Sequence, residues 1–251
     1  MIVIRALFNF NAANSAVQYL AGSSANGGTA SKVDSFTVTA ADGTQKVVSF
    51  TINGTNDAAE IGTPTVSAVT EDSGVVSGNL TATGTISISD TDTGEASFST
   101  TVASAAGNLG SLALASGGGY TYTVANAATQ YLAGSNANGG TASKLDTFTV
   151  TAADGTQKVV SFTINGANDA AVIGTPTVSA VTEDAGVVGG NLTAAGSISI
   201  SDVDSGEASF STSVASAAGN LGTLVLATNG GYTYTVANAA TQYLEIGRAH
   251  V

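Results

Sequence analysis

A near-identical repeat of 112 residues constrains this 251-residue chain more than any other feature. The segment Tyr19-Leu20-Ala21-Gly22-Ser23 returns as Tyr131-Leu132-Ala133-Gly134-Ser135, and Tyr243-Leu244 is the same point of a third copy. Residues 19–59 differ from 131–171 at four positions, and residues 60–132 differ from 172–244 at twelve. Solenoid repeats span roughly 20–50 residues, whereas a unit of this length can bury its own hydrophobic core. The sequence therefore predicts a string of similar domains.

Each unit is predicted to be an all-β, Ig-like or cadherin-like antiparallel sandwich. Apolar and polar residues alternate along seven segments of residues 60–171, as in strands with one buried face. The predicted strands are Thr65–Thr70, Leu80–Ser89, Ala96–Val102, Gly110–Ala115, Tyr120–Ala125, Asp146–Ala152 and Gln157–Asn165. The predicted core consists of their large apolar residues: Ile86, Ile88, Leu112, Leu114, Tyr120, Tyr122, Val124, Phe148, Val150, Val160, Phe162 and Ile164. Asp154-Gly155 is a hairpin-turn signal, and we interpret Asp154 as a turn residue rather than a metal ligand.

Linkers are predicted at Asn56-Asp57-Ala58-Ala59 and at Asn168-Asp169-Ala170-Ala171, each between an Ile-Asn-Gly strand end and an Ile-Gly-Thr-Pro strand start. Residues 60–171 then form one complete domain. Residues 1–59 carry only the last strands of a preceding unit, with Phe8-x-Phe10 in the place of Tyr120-x-Tyr122. Residues 172–244 lack the last two strands, so we expect the chain to be a fragment. Residues 245–251 leave the repeat and back-translate to a sequencing-adapter sequence, so we expect this tail to be an artefact.

Carboxylates cluster in two loops of a chain in which only 10% of residues are charged. Asp90, Asp92 and Glu95 fall within six residues, and Asp202, Asp204 and Glu207 repeat the pattern. Two like charges 4 Å apart repel by about 4 kcal/mol near a protein surface, so an ordered loop of this kind favours a bound cation. Carboxylate and carbonyl oxygens are the ligands that Ca²⁺ prefers. The alternative is a solvated Asp/Gly turn that bonds to its own backbone.

Strand direction predicts that further acids meet these loops at the junction between consecutive repeats. Strand order places Glu71, Asp72 and Asp146 at the bottom of one domain, from which the next linker leads to the acidic loop at the top of the following domain. The predicted Ca²⁺ ligands combine these loops, linkers and strand ends: Asn56, Asp57, Glu71, Asp72, Asp90, Asp92, Glu95, Asn168, Asp169, Asp202, Asp204 and Glu207. Calcium binding is therefore expected to stiffen the junctions.

Composition excludes several classes of function. Eighteen acidic residues against six basic ones give a net charge of −12, which disfavours nucleic acid and anionic membranes as partners. The chain has no Cys and one His, His250 in the divergent tail, and no nucleophile or phosphate-loop motif, so an enzyme is not expected. No run of 18 apolar residues is present, and membrane insertion is not expected.

Several motifs, in order over residues 8–244, make the chain resemble the VCBS repeat. They include Asp90-x-Asp92-x-Gly94-Glu95-Ala96-x-Phe98, Tyr120-Thr121-Tyr122-Thr123-Val124 and Asn168-Asp169-Ala170. VCBS repeats are cadherin-like or immunoglobulin-like modules of very large bacterial surface proteins, including adhesins of the RTX kind. The resemblance implies type I secretion, a cell-surface location, and a role in adhesion or biofilm formation. Residues 245–251 depart from it, and the Gly-rich RTX nonapeptides are missing.

Two functions remain open at this stage. Near-identical tandem copies favour a stalk or spacer whose partners are its own neighbouring repeats, while the parent protein contacts a host cell, an abiotic surface or other cells. The alternative is a Ca²⁺-dependent module that binds carbohydrate or protein directly. Exposed aromatic residues would favour the second function, and Tyr131 and Tyr243 are the candidates.

Overall fold

The structure, a computed structural model, describes residues 9–245. The position predicted for Phe8 and the tail 246–251 lie outside these residues. The described chain contains strands and short 3-10 helices but no α-helix, which confirms the predicted all-β class. None of its helical segments is long and apolar enough to cross a membrane. The 3-10 helices are Asn14–Ala16, Ala25–Gly27, Asn126–Ala128, Ala137–Gly139, Asn238–Ala240 and Gln242–Glu245.

The chain divides into two compact units, which are described separately. The first comprises the chain up to Asn126 together with Leu145–Ile164. The second comprises Ala127–Lys144 together with the chain from Asn165 onward. The domain boundaries drawn from the sequence stay a prediction.

The first unit begins with a hairpin from the partial repeat. Strands β1 (Ser31–Thr39) and β2 (Gln45–Asn53) pair antiparallel, from Ser31 opposite Asn53 to Thr39 opposite Gln45. These strands form a two-stranded sheet of their own. Gly43, at φ +88°, supplies the left-handed backbone that the tight turn requires.

Residues 60–165 contain nine strands, seven of which form two facing sheets. One sheet has the order β5-β9-β8 and the other β4-β11-β10-β7, while β3 and β6 pair in a separate ribbon. The strands are β3 (Glu60–Ile61), β4 (Ala68–Thr70), β5 (Asn79–Thr85), β6 (Ile88–Ser89), β7 (Ala103–Ser104), β8 (Ser111–Leu114), β9 (Gly119–Ala125), β10 (Ser143–Thr151) and β11 (Gln157–Asn165).

The core of this sandwich lies between the two sheets and is mainly the predicted one. Tyr122 of β9 stacks on Phe162 of β11 with ring centroids 4.6 Å apart, and Phe148 of β10 meets both rings edge-on. Ten of the twelve predicted core residues are buried, and Ile88 and Leu112 are half-buried. The alternation of large and small residues along each strand therefore identifies the inward face.

Three predicted strands differ from the observed ones. The segment 96–102 is not a strand, since it contributes only the bridge between Phe98 and Ala152, and β7 begins after it. The predicted strand 80–89 is divided into β5 and β6, which belong to different sheets, since β5 pairs with β9 and β6 pairs with β3. The predicted strand 65–70 is confined to β4 at its end.

The second unit contains a partial repeat that begins with β12 (Val172–Ile173). Strand β12 pairs with β14 (Ile200–Ser201), and β13 (Asn191–Ser197), β16 (Gly231–Ala237) and β15 (Thr223–Leu226) form a three-stranded sheet in that order. These strands match β3, β6, β5, β9 and β8 at a spacing of 112 residues, with equivalent registers. Within the described residues of the second unit, these five strands form the two sheets β12-β14 and β13-β16-β15.

Candidate metal centre

The acidic loop of the first unit follows β6, which ends at Ser89. Gly94 takes φ +86° in this loop and allows the chain to double back. As a result Asp92 and Glu95 turn inward and are only 2% and 3% exposed, while Asp90 is half-buried. Burial of two carboxylates in one loop is unusual unless they are paired or bind a cation.

Asp57, in the linker predicted from the sequence, contacts this loop. The N–H of Asp57 donates to Asp92 Oδ2 at 2.7 Å, and the N–H of Asp92 donates to Asp90 Oδ1 at 2.8 Å. The N–H of Thr93 donates to the carbonyl of Tyr19, which belongs to the preceding partial repeat. One carboxylate oxygen from each aspartate is therefore used to hold the loop and linker together.

The second unit builds the same arrangement 112 residues later. The N–H of Asp169 donates to Asp204 Oδ2 at 2.7 Å, and that of Asp204 donates to Asp202 Oδ1 at 3.0 Å. The N–H of Ser205 donates to the carbonyl of Tyr131 at 3.1 Å. The bonded residues at 57/169, 90/202 and 92/204 are identical, whereas residues 91/203 and 93/205 differ. The geometry therefore depends on the acids and not on their exposed neighbours.

Several carboxylate oxygens in these loops are buried and have no hydrogen-bond donor. They are Asp90 Oδ2, Asp92 Oδ1, Glu95 Oε2 and, in the second unit, Asp204 Oδ1. Among the described residues no ion pair or hydrogen bond joins these side chains to a Lys or Arg. An unsatisfied buried charged group costs more than the roughly 1–3 kcal/mol typical of a neutral one. A divalent cation would satisfy several of these oxygens at once.

The environment of Glu95 opposes its ionisation. Burial raises its pKa, and the charges of Asp92, Asp90 and Asp154 raise it further. A carboxyl group with a raised pKa stabilises the fold below its ordinary pKa and loses that contribution as the pH rises. At neutral pH the loop thus holds a carboxyl group whose negative charge is unfavourable without a counter-ion.

Asp154 also belongs to this cluster of carboxylates, because its charge acts on Glu95. The sequence pattern did not predict this. It makes the predicted turn, since Oδ1 accepts the N–H of Thr156 at 2.8 Å, but Oδ2 also accepts the N–H of Ala59 in the linker at 3.0 Å. Burial raises its pKa, but hydrogen bonds from Thr156, Ala59 and the Asn56 side chain together lower it by more, so the net shift is downward. The Asp-Gly pattern indicated only the turn, because contact with the linker depends on the tertiary fold.

Three other acids lie outside the acidic loop in the sequence: Glu71, Asp72 and Asp146. Their surroundings differ from one another. Glu71 is 1% exposed, and Asp72 exchanges hydrogen bonds with Asn126. Asp146, which strand order places at the bottom of the domain, is fully buried and accepts hydrogen bonds inside the sandwich. Its place among the acids at the junction stays a prediction. The predicted meeting of Glu71 and Asp72 with Asp169, Asp202, Asp204 and Glu207 stays a prediction.

The carboxylates of the acidic loops are available as metal ligands, but they do not form a complete coordination shell. Within residues 9–245 no three acidic or imidazole side chains already stand around a common point at metal-binding distance. Asn56 and Asn168 each donate their side-chain amide to the carbonyl of the next residue, at 2.8 and 2.7 Å, and an amide N–H bond of this kind leaves the Oδ1 atom able to act as a further ligand. Glu207 is half-buried, whereas its counterpart Glu95 is buried.

Comparison with known proteins does not assign the chain to a family. No family model matches it, and no curated protein matches it. Among solved structures, it is similar to the protocadherin GammaB4 extracellular domain, with 12% identity and a TM-score of 0.41 over 82% of this chain and 36% of that one. It is also similar to the human desmocollin-1 ectodomain, with 14% identity and a TM-score of 0.32 over 77% of this chain and 34% of that one.

A third similar structure is that of a Ca²⁺-stabilized adhesin that helps an Antarctic bacterium reach out and bind ice. It has 14% identity and a TM-score of 0.24, and the match covers 86% of this chain and 50% of that one. Each of these matches thus spans half or less of the other protein. At TM-scores below 0.5 these similarities identify no family, and the function is inferred from the residues of the site.

Proposed function

We propose that this chain is a stalk or spacer segment of an extracellular bacterial adhesin, in which Ca²⁺ bound at the linkers holds consecutive repeats in line. The resemblance to VCBS repeats adds the expectation of export by a type I system and of a role in adhesion or biofilm formation. Tandem repetition is itself the functional feature, since 112-residue units that differ at few positions set length rather than offer different surfaces.

One observation carries this proposal: buried carboxylate oxygens without a donor occur at the point where a linker crosses the acidic loop. Asp92 and Asp204 each use one oxygen to hold the linker and keep the other buried and unsatisfied. A solvated turn would leave these oxygens to water, and a structural ion pair would supply a Lys or Arg. A hard divalent cation fits the donor set, because every candidate ligand is oxygen.

The residues that would hold the ion in the first unit are Asp90, Asp92 and Glu95, with Asn56 and Asp57 from the linker. In the second unit they are Asp202, Asp204, Glu207, Asn168 and Asp169. The ion would supply positive charge to a loop whose carboxylates repel one another. Because its ligands come from both the linker and the loop, bending at the linker would then require breaking coordination bonds. Domains joined by small interfaces otherwise move freely by default.

Calcium titration calorimetry on the full chain tests the proposal through stoichiometry. Two sites are expected, and Asp92→Asn should leave one, as should Asp204→Asn, while the double variant should leave none. Asn keeps the shape and one acceptor for the linker N–H, so only charge is removed. Asp42→Asn is the matched control, because Asp42 is an exposed turn residue that bonds Thr44. Unchanged binding in the double variant would refute the proposed sites.

The mechanical part of the proposal is tested separately. Small-angle X-ray scattering should show a narrower distance distribution in Ca²⁺ than in EGTA, and the double variant should resemble the EGTA state in both buffers. If Ca²⁺ binds with the expected stoichiometry but the scattering does not change, the result would contradict the stalk role. The two proposed metal sites would still be supported.

A second candidate function is direct Ca²⁺-dependent binding of carbohydrate or protein. It is favoured by Tyr131, whose side chain is 36% exposed and whose carbonyl accepts the N–H of Ser205 in the acidic loop. Aromatic rings beside a bound ion are suited to stack on sugars. Tyr131→Ala should abolish retention on a glycan array if this function operates, and should change nothing if the repeat is only a spacer.

A further inference from the structure

A short segment of each repeat crosses the start of the linker that leads to the next repeat. It comprises residues 131–134 and, in the preceding copy, residues 19–22, and both have the sequence Tyr-Leu-Ala-Gly. We call it the crossing segment. Leu132 is 0% exposed and Leu20 is 1% exposed, although neither residue lies in a strand. Burial at the same position of both copies indicates that the crossing segment has a fixed place in the fold.

Direct contact between backbones fixes this place. The crossing segment passes over Gly166, which follows the end of β11. A Cβ on Gly166 would lie 2.1 Å from the carbonyl oxygen of Leu132 and 2.6 Å from the nitrogen of Gly134. A Cβ on Gly54, which follows the end of β2, would lie 2.1 Å from the carbonyl oxygen of Leu20. Because a Cβ atom essentially never lies within 3.0 Å of a non-bonded heavy atom, only glycine permits this approach.

The crossing segment also holds the acidic loop of the following repeat. The carbonyl of Tyr131 accepts the N–H of Ser205 at 3.1 Å, and the carbonyl of Tyr19 accepts the N–H of Thr93 at 3.2 Å. The aspartate that precedes each of these donors accepts the N–H of a linker residue at 2.7 Å. Two adjacent residues of each acidic loop are therefore held by two separate stretches of chain, the crossing segment and the linker.

The contact of the crossing segment uses backbone atoms of the protein alone. The two donor residues differ, Thr93 in one loop and Ser205 in the other, and the hydrogen bond is the same. The compact units give independent support, because residues 127–144 belong to the same unit as the chain from Asn165 onward, whereas most of β10 and β11 belongs to the other unit. Residues 131–134 are thus grouped with the acidic loop that they contact.

We propose that the crossing segment is a metal-independent docking element that holds the acidic loop of the following repeat, and so orients that repeat, in the absence of a cation. The inference rests on the proposed stalk function and specifies how the junction is built. The crossing segment sets the orientation, and a cation bound in the loop makes it more rigid. Two attachments to one loop oppose rotation about the linker, whereas domains joined by a linker and a small interface move freely by default.

Amide hydrogen exchange in EGTA tests the contact without a cation. In the wild-type chain the amides of Ser205 and Thr93 should exchange about tenfold or more slowly than in an unstructured peptide, because each is bonded to a carbonyl. Gly166→Ala should remove this protection at Ser205 and leave it at Thr93, and Gly54→Ala should do the reverse. Gly117→Ala is the control and should change neither amide, since a Cβ there would meet no atom within 4 Å.

Distances between spin labels test the orientation. The chain has no cysteine, so Val159→Cys and Val225→Cys place two labels at exposed positions on either side of the second junction in the sequence. In EGTA the distance distribution should have one narrow maximum, and Gly166→Ala should broaden it about twofold or more. Ser205→Pro removes the donor N–H without adding a side chain at the crossing point, and it should broaden the distribution equally.

The outcomes separate this inference from the proposed function. Unprotected Ser205 and Thr93 amides in the wild-type chain, or a wild-type distribution as broad as that of Ser205→Pro, would overturn the inference. The wild-type measurements and Ser205→Pro decide it even if Gly166→Ala unfolds the chain. Protected amides and a narrow distribution in a chain that binds no Ca²⁺ would support the crossing segment and refute the calcium sites. Calcium binding with unprotected amides would support the calcium sites and refute the crossing segment.

Discussion

Asp146 is expected to be the most important polar residue for the stability of the complete repeat. Its side chain is fully buried, Oδ2 accepts the N–H of Gly110 at 2.7 Å and the O–H of Tyr122 at 2.8 Å, and the N–H of Leu109 donates to both oxygens. Asp146→Ala removes the acceptor of three donors, of which the Tyr122 hydroxyl lies in a fully buried side chain.

The magnitude follows from what each donor loses. A buried donor left without a partner costs about 1–3 kcal/mol, and hydrogen bonds to charged groups contribute about 1.5–3 kcal/mol. The two backbone N–H groups belong to half-buried residues and regain part of their bonding from water. We therefore expect Asp146→Ala to lower the free energy of unfolding by about 3 kcal/mol. Asp146→Asn should lower it by about 1–2 kcal/mol, because one oxygen remains as an acceptor. At roughly 4–8 °C per kcal/mol for a domain of 60–100 residues, the Ala variant should melt about 12–24 °C lower.

Calorimetry and urea unfolding of the full chain at low concentration measure this effect, and the chain contains its own control. Asp34 occupies the equivalent position in the partial repeat, where its side chain is 32% exposed. Asp34→Ala should change stability by less than about 0.5 kcal/mol, as surface substitutions usually do. If both Ala variants lower the melting temperature equally, burial of the Asp146 carboxylate does not explain its effect on stability, and the reasoning is refuted.

Three further outcomes are expected. Burial, the hydrogen bond to Asp146 and its charge raise the pKa of Tyr122, so stability should fall by about 1.4 kcal/mol per pH unit above about pH 10, and Tyr122→Phe should flatten alkaline unfolding curves. Calcium at about a hundredfold excess over Kd should stabilise the protein by about 2.7 kcal/mol per site, and Asp92→Asn with Asp204→Asn should remove the melting shift. Gly118→Ala should lower the free energy of unfolding by about 1–3 kcal/mol, because φ is +86° and a Cβ would meet the Ile86 carbonyl oxygen at 2.1 Å. Gly117→Ala should leave stability unchanged, and equal effects of the two substitutions would contradict this reasoning.

The sequence by itself determined the repeat, the all-β class and most of the core. Alternation with a period of two requires only local geometry, so Phe148, Val150, Phe162 and Ile164 could be placed on the inward face in advance. The hairpin turn at Asp154-Gly155 was equally predictable, because glycine at φ +94° satisfies a local requirement of the turn. The clustering of Asp90, Asp92 and Glu95 likewise indicated an unusual loop from composition alone.

The tertiary structure alone decided which polar groups are buried and which segments become strands. The segments of β4 and β7 form strands only where β11 and β10 lie beside them, since the same residues at 180–182 and 215–216 do not. Asp34 and Asp146 have equivalent positions in sequence but differ in burial because only one has a facing sheet. Strand pairing and burial depend on distant parts of the chain, and a local pattern contains no information about whether those parts are present.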